Sequence, residues 1–420
     1  MAHQVALTVG ATIRPGEVGA LEALLDEMSA DSAHNRLIPF GDLPSTHFGR
    51  LLIVDLVPGR PSLLLMLDAD APLERRLDEL VDVAGDGIDE LFGRCEGYPI
   101  GREVGRSDRR RYLRSRLMSV DVFYVHAVGR TLVQIRREER LRRAIGSFLD
   151  GAERQLRERR PREIREAVRR FVAREPTLGW ARTPAAGPGP RFRLTEGLNK
   201  VGVPLVLLAL LPLLVPALLV WGGALRLDEL REPVPSVPLD RRRLRELREL
   251  EDFQVQNAIS TIADIKPGLF WRLTARLFLN LVANYTSRHV FDTGSLAGLK
   301  TVHFARLMKV DRRRRVLFTS YYDGSLESYM DDFIDQIAWV LNGVFGNEEG
   351  FPKTRWLFLD GARNEIGFKA FLRGHQIPTR VWYSAYEGMT AVNLDNNARI
   401  RAGLYGDMDD AEAAEWLRRL

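Results

Sequence analysis

His303-Phe304-Ala305-Arg306-Leu307 repeats His47-Phe48-Gly49-Arg50-Leu51, and in both copies an aspartate, Asp311 or Asp55, follows four residues later. Working outward, the same pairing continues in order. Ile13-Arg14-Pro15-Gly16 returns as Ile265-Lys266-Pro267-Gly268, and Asp70-Ala71-Pro72-Leu73-Glu74 as Asp323-Gly324-Ser325-Leu326-Glu327. Phe92-Gly93 with Glu96-Gly97-Tyr98-Pro99 matches Phe345-Gly346 with Glu349-Gly350-Phe351-Pro352. Farther on, Phe123-Tyr124 pairs with Trp382-Tyr383, Gly129-x-Thr131 with Gly388-x-Thr390, and Arg140-Leu141-Arg142 with Arg399-Ile400-Arg401. Matches that keep their order over this length mark an internal duplication, the first thing to establish because it sets the architecture.

Each copy reads as strand, helix, strand, strand, helix, then further strand and helix. HFGRLLIVD with LLLMLD, and HFARLMKVD with RVLFTSYYD, are apolar runs of strand length separated by short links, as hairpins require. In SLESYMDDFIDQIAWVLNGVF, Leu326, Tyr329, Phe333, Ile337, Val340 and Leu341 fall on one helical stripe. The order βαββαβ is that of a ferredoxin-like unit, which covers one sheet face with helices and leaves the other bare. Two tandem copies supply partners for each other's bare face. The expected fold class is therefore α+β: two fused ferredoxin-like repeats forming a pseudo-dimeric α+β barrel, with a central hydrophobic membrane segment. The expected divisions are repeat 1 over 1–150, an Arg-rich helical linker over 151–200, the membrane segment over 201–225, a linker over 226–252 and repeat 2 over 253–420.

The copies flank Val201 to Leu225, VGVPLVLLALLPLLVPALLVWGGAL, 25 residues without a charge. That length crosses the hydrocarbon core as a helix. Pro204, Pro212 and Pro216 each remove a backbone donor, so a re-entrant hairpin competes with a single span. Arg191, Arg193 and Lys200 precede the segment and Arg226, Arg231 and Arg241 to Arg243 follow it, so neither end is marked for translocation. A single span would also separate the halves of one barrel, which favours the hairpin. LFWRLTARLFLNLVANY, with Phe270, Trp271, Phe278 and Leu281 among Arg272 and Arg276, suits either an interfacial helix or tighter packing on its sheet.

Across 420 residues, 61 Lys and Arg against 56 Asp and Glu give a net charge of +5, and 45% hydrophobic residues are ample for packed cores. Residues 136–175 hold fourteen Arg against eight acids. The acids interleave at helical spacing and no aromatic platform accompanies them, so nucleic acid is not the expected partner. A solvated helix, or one beside an anionic leaflet, accounts for this segment. One cysteine, Cys95, excludes an intramolecular disulfide framework and points to an unreactive, partly buried thiol in a reducing compartment. MAHQVALTVGATIRPG lacks the pattern of a signal peptide, so the barrel is expected on the cytoplasmic side of the inner (cytoplasmic) membrane.

Two fused ferredoxin-like units resemble the dimeric α+β barrel superfamily, which includes Dyp-type haem peroxidases, chlorite dismutase-like proteins and cofactor-free monooxygenases. HFAR, TSYYDGSLESYMDDFID, GFP and VWYSAY also resemble a group of bacterial membrane-associated proteins. The first resemblance implies an oxidoreductase acting on a lipophilic small molecule, with haem as a possible cofactor. Asp323 in SYYDG is similar to the aspartate of the Dyp-type GxxDG motif, although the first glycine is absent. As residues, Asp70 and Asp323 each directly precede a helix, where a carboxylate accepts from free amides.

His47 and His303 are the leading site candidates, with Asp323 and Arg306 beside them. An imidazole serves as a haem or metal ligand, as a proton shuttle, or as a hydrogen bond holding two units in register. Strand alternation puts each histidine on the face of Gly49 or Ala305, and Arg50 and Arg306 on the opposite one. His126, His289 and His375 have no counterpart in the other copy and remain unranked ligands. The alternative to an enzyme is a non-catalytic lipid- or protein-binding scaffold at the membrane surface. Membrane lipid is the expected partner in either case, and homo-oligomerisation is open.

Overall fold

The structure is a computed structural model that describes residues 4–100, 103–184, 190–233, 235, 240–283, 285, 295–296 and 298–420. It is a mixed α+β protein with antiparallel sheets. The first half runs β1 (Gln4–Thr12), α1 (Val18–Ser29), β2 (Thr46–Val57), β3 (Arg60–Asp70), α2 (Leu73–Phe92), α3 (Arg106–Ser115), β4 (Val122–Val125) and α4 (Leu132–Gly151). Helices α5 (Glu153–Leu156), α6 (Pro161–Arg174), α7 (Pro190–Ala209), α8 (Leu211–Arg231) and α9 (Arg241–Arg248) follow. The second half runs β5 (Gln256–Asp264), α10 (Leu269–Leu277), β6 (Val302–Val310), β7 (Arg315–Asp323) and α11 (Leu326–Phe345). It ends with a small hairpin, β8 (Thr354–Arg355) and β9 (Leu359–Asp360), then α12 (Glu365–His375), β10 (Val381–Ser384), α13 (Ala391–Ala402) and α14 (Asp410–Leu417).

The two large sheets have the orders β1-β3-β2-β10 and β4-β6-β7-β5. Each half therefore gives its last sheet strand to the other: β10 pairs with β2, and β4 with β6. The approach to each exchanged strand ties the sheets together. Met118 donates to Thr8 at 2.9 Å before the chain crosses to β6, and Ile377 donates to Ser260 at 2.8 Å before it crosses to β2. Bridges Val9↔Leu117 and Thr261↔Gln376 sit at these crossings, so backbone pairing continues around both edges. The two sheets face each other across a packed interior. Here it holds Leu52, Val54, Leu64, Met66, Ile262, Met308, Val310 and Leu317 from both halves. Separate helix-side cores close the outer faces.

Details of the backbone repeat as the residues do. Gly16 and Gly268, Gly97 and Gly350, and Gly129 and Gly388 all have φ between 75° and 101°, a region open to glycine without a Cβ clash. Helices α2 and α11 both lose helical torsions partway, at Ala84 and Ile337. Thr131 and Thr390 accept from Gln134 and Asn393 as N-caps of α4 and α13. The stripe expected on α11 is buried from Leu326 through Leu341 apart from half-buried Val340.

The Arg-rich segment folds as part of α4, with α5 and α6. Arg165 is 1% exposed and donates to the carbonyls of Gly403, Tyr405 and Gly406, while Val168 and Val172 pack with Trp416. The linker over 151–200 is thus docked at its start onto the C-terminal helices.

The described part of the central segment forms α7 and α8. Among the described residues, α8, over Leu211–Arg231, is the one helix long and apolar enough by itself to cross a membrane. Between them Leu210 keeps right-handed torsions (φ −84°, ψ −2°) and its carbonyl accepts from Leu213 and Leu214. Pro212 withholds the amide that would continue the ladder. The Leu210 amide still donates to the Val206 carbonyl at 2.9 Å across this one-residue joint, and the two helices do not pack along each other's length.

Candidate functional site

Alternation along β2 and β6 sends Phe48 and Phe304 with Arg50 and Arg306 into the space between the sheets, and Gly49 and Ala305 toward the helices. The histidines were expected on the glycine and alanine face. They are not there, because the register of β2 against β3 slips between Thr46 and Phe48, and that of β6 against β7 between Val302 and Phe304. A bulge adds one residue and turns its side chain. His47 and His303 consequently lie in the interior with the arginines, packed against Phe304 and Phe48 respectively, and both touch Tyr386.

Each imidazole is held by an aspartate. His47 Nε2 is 3.0 Å from Asp70 Oδ1, and His303 Nε2 is 2.7 Å from Asp323 Oδ1. The other oxygen of Asp70 accepts from the Leu132 amide at 3.2 Å, and that of Asp323 from the Ala391 amide at 2.7 Å. The aspartates do receive helix amides, but from α4 and α13 rather than from the helices they precede. Those begin at Pro72 and at Ser325, whose own side chain accepts from Ser328. An anion at the first turn of a helix is favoured by the exposed amides and the helix dipole.

The arginines cross between the sheets in matching fashion. Arg306 donates to Thr8 Oγ1 at 2.7 Å, to the Leu67 carbonyl at 3.3 Å and to Asp68. Arg50 donates to Ser260 Oγ at 2.8 Å, to the Ile259 carbonyl at 2.8 Å, to the Ser320 carbonyl at 3.0 Å and to the Tyr321 hydroxyl at 2.8 Å. Tyr321 takes the place of Asp68 in the second half, so Arg50 is a buried cation surrounded by neutral oxygens. Its guanidinium also lies 3.8 Å over the Tyr321 ring.

Haem would require an open slot beside one of these imidazoles, with a free ring nitrogen directed at the iron. Both Nε2 atoms are engaged by aspartate, and the ring faces are covered at 5.4 to 5.9 Å by Phe48, Phe304 and Tyr386. Both Nδ1 atoms are buried without a partner, yet the space around them belongs to the same aromatic cluster. Haem does not fit the residues present. Among the described residues, no three His, Cys, Asp or Glu side chains are grouped to hold a metal.

The remaining expectations fall elsewhere. His126 is buried 3.2 Å from Asp395, His375 Nδ1 donates to the Phe371 carbonyl at 2.8 Å, and His289 lies outside the described residues. Cys95 is buried, and burial pushes its thiol up to about 12. Three interior groups were missed. Gln4 donates to the carbonyls of Ala127 and Arg130, and Gln256 to that of Met389. Their equal spacing before Ile13 and Ile265 was a usable signal. Tyr386 faces Ala127 in the repeat alignment, so symmetry concealed it; burial drives its hydroxyl pKa far up.

A cavity of about 130 Å³ sits on the helix side of the second sheet, lined, Arg306 aside, by apolar and aromatic side chains from β4, β6, β7, α11 and the helical stretch that follows α10. Beside it, α8 is docked to the second half. Glu229 is 1% exposed and accepts from Thr354, Trp356 and Leu357, while Leu225 enters the core. Trp221 Nε1 donates to Thr274 Oγ1 at 3.0 Å, Trp271 Nε1 donates to Asp228, and Lys266 pairs with Glu232 at 2.8 Å. The Tyr285 hydroxyl donates to the Asn199 carbonyl of α7 at 2.9 Å. No family model, no curated protein and no solved structure matches this chain.

Proposed function

We propose that this is a non-catalytic binding protein of the membrane surface: a pseudo-dimeric α+β barrel of two ferredoxin-like repeats, anchored by α7 and α8 in one leaflet. One observation carries the anchor. Both arms of the bent apolar pair return to the same stretch of the second half, α7 at Asn199 to Tyr285 and α8 at Trp221 to Thr274. A straight helix from Asn199 to Trp221 would span about 33 Å at 1.5 Å per residue, whereas the partner stretch from Thr274 to Ala283 rises by no more than about 14 Å. Each arm is about 16 Å from the bend, close to half of the roughly 30 Å hydrocarbon core.

The side chains at the bend suit that placement. Leu205 to Leu208, Leu210, Leu211, Leu213 and Leu218 to Val220 are exposed apolar groups. Leu269, Leu273 and Leu277 add an exposed stripe on α10, and half-exposed Trp356 belongs to the hairpin that holds α8. Tryptophan favours the interfacial zone. The oxidoreductase reading gains no comparable support, because the histidine and arginine candidates are engaged inside a packed ring.

Surface cysteines at Ser147 and Asp240 test the topology, with native Cys95 buried and its thiol protonated. In vesicles of one orientation, a membrane-impermeant maleimide should label both, while a cysteine at Leu210 stays protected from either side. Labelling of Ser147→Cys and Asp240→Cys from opposite faces would sink the single-leaflet anchor.

A further inference from the structure

In the first half, Phe40 closes the helix side of the sheet where β2 meets β10. It is fully buried, stacks on Tyr383 at 5.8 Å, and lies so close to Gly49 that a Cβ there would meet the ring at 2.6 Å. Gly49 and Tyr383 are directly paired across the strands. Their counterparts in the second half, Ala305 and Tyr124, are paired in the same way. There, however, Tyr124 and Ala305 line the cavity, together with Leu307, Phe318, Phe333 and Ile337. Phe40 accepts from the Leu43 amide at 3.2 Å and its counterpart Leu296 from the Leu299 amide at 3.0 Å, so the first half fills this position with an aromatic ring while the smaller Leu296 borders a cavity of about 130 Å³ among the described residues.

The walls identify what fits. Apart from Arg306, every lining residue is apolar or aromatic, so a polar ligand would be desolvated there without compensation. Apolar cavities of about 150 Å³ stay dry and accept small hydrocarbons. The position supplies a source. Phe278 and Ala283, which line one wall, continue the helix that bears the exposed Leu269, Leu273 and Leu277 and that grips α8 through Thr274. Trp339, which also lines the cavity, is 50% exposed.

We infer that this cavity holds the terminal part of an alkyl chain from a membrane lipid, entering beside Trp339 and the α10 stretch. The chain end fills the volume beside Leu296 that the larger Phe40 ring covers in the first half. This inference rests on the membrane-surface reading. Binding needs no reaction, because transfer of apolar surface out of water or the interface drives it.

The test is photocrosslinking of the full chain in phosphatidylcholine vesicles containing a fatty acid with a terminal diazirine, with adducts mapped by mass spectrometry. Adducts are expected on Phe333, Ile337 and Phe345 as well as on α7 and α8. Ala305→Phe, which builds a ring into the cavity from its sheet wall, should reduce the former at least tenfold and leave the latter unchanged. If that variant does not fold, the wild-type map decides alone. Adducts on α7, α8 and Leu273 with none on the cavity residues overturn the inference while leaving the membrane reading intact. A map with no adducts on α7 or α8 overturns both.

Discussion

Two buried acids differ in the partners that their positions supply. Asp323 keeps its carboxylate supplied by an imidazole and a helix amide. Glu348 stands where the first half has Cys95, each bridged to the end of its first strand, at Ile265 and Ile13. It is 2% exposed, one carboxyl oxygen has no partner, and burial, reinforced by Asp264, raises its pKa well above the ordinary carboxylate value. The folded state therefore binds this proton more tightly than the unfolded chain. The stability it contributes is fully present below the unfolded pKa near 4.5 and is lost as pH rises toward the folded one. Glu348→Gln should raise the melting temperature at pH 7 to 8, by about 1 kcal/mol or more of stability. The gain should vanish near pH 4. A thermal melt series that shows the same difference at both pH values would refute this account.

At the scale of elements, the interior histidines connect strands to helices. Each bulge brings an imidazole onto an aspartate, and that aspartate fixes the first turn of α4 or α13. Removing the carboxylate exposes two buried donors at once: the Ala391 amide and the His303 ring. Asp323→Ala should cost about 2 to 4 kcal/mol, a lost cap plus an unsatisfied buried group. Denaturant midpoints measure it, and hydrogen exchange should locate the opening at the start of α13. Ser325→Ala removes only the local cap of α11 and should cost about 1 kcal/mol. Equal losses for the two would show that Asp323 does no more than an ordinary cap.

For the whole molecule, strand exchange makes the halves interdependent. Each large sheet has one edge strand from the other half, and Arg50 and Arg306 each find their partners across the ring. Residues 1–184 and 240–420 expressed separately should not give folded proteins, since each would expose a bare sheet face and leave a buried arginine without its oxygens. Coexpressed, they should copurify as a folded complex; a cooperative melt from either piece alone would disprove the interdependence. Much of this was legible in the residues. The matched motifs, the strand and helix periods and the uncharged run from Val201 to Leu225 are local patterns, and local patterns determine which segments form strands, amphipathic helices and apolar helices. They also carried His47, His303, Asp70 and Asp323 as matched pairs. Only the tertiary structure decided that the last strands are exchanged, because backbone pairing is open to either sheet edge. It alone turned the histidines inward, through a one-residue slip that alternation cannot reveal. And it alone left space beside Ala305 where Gly49 meets Phe40, since a cavity is set by the residues that arrive from elsewhere in the chain.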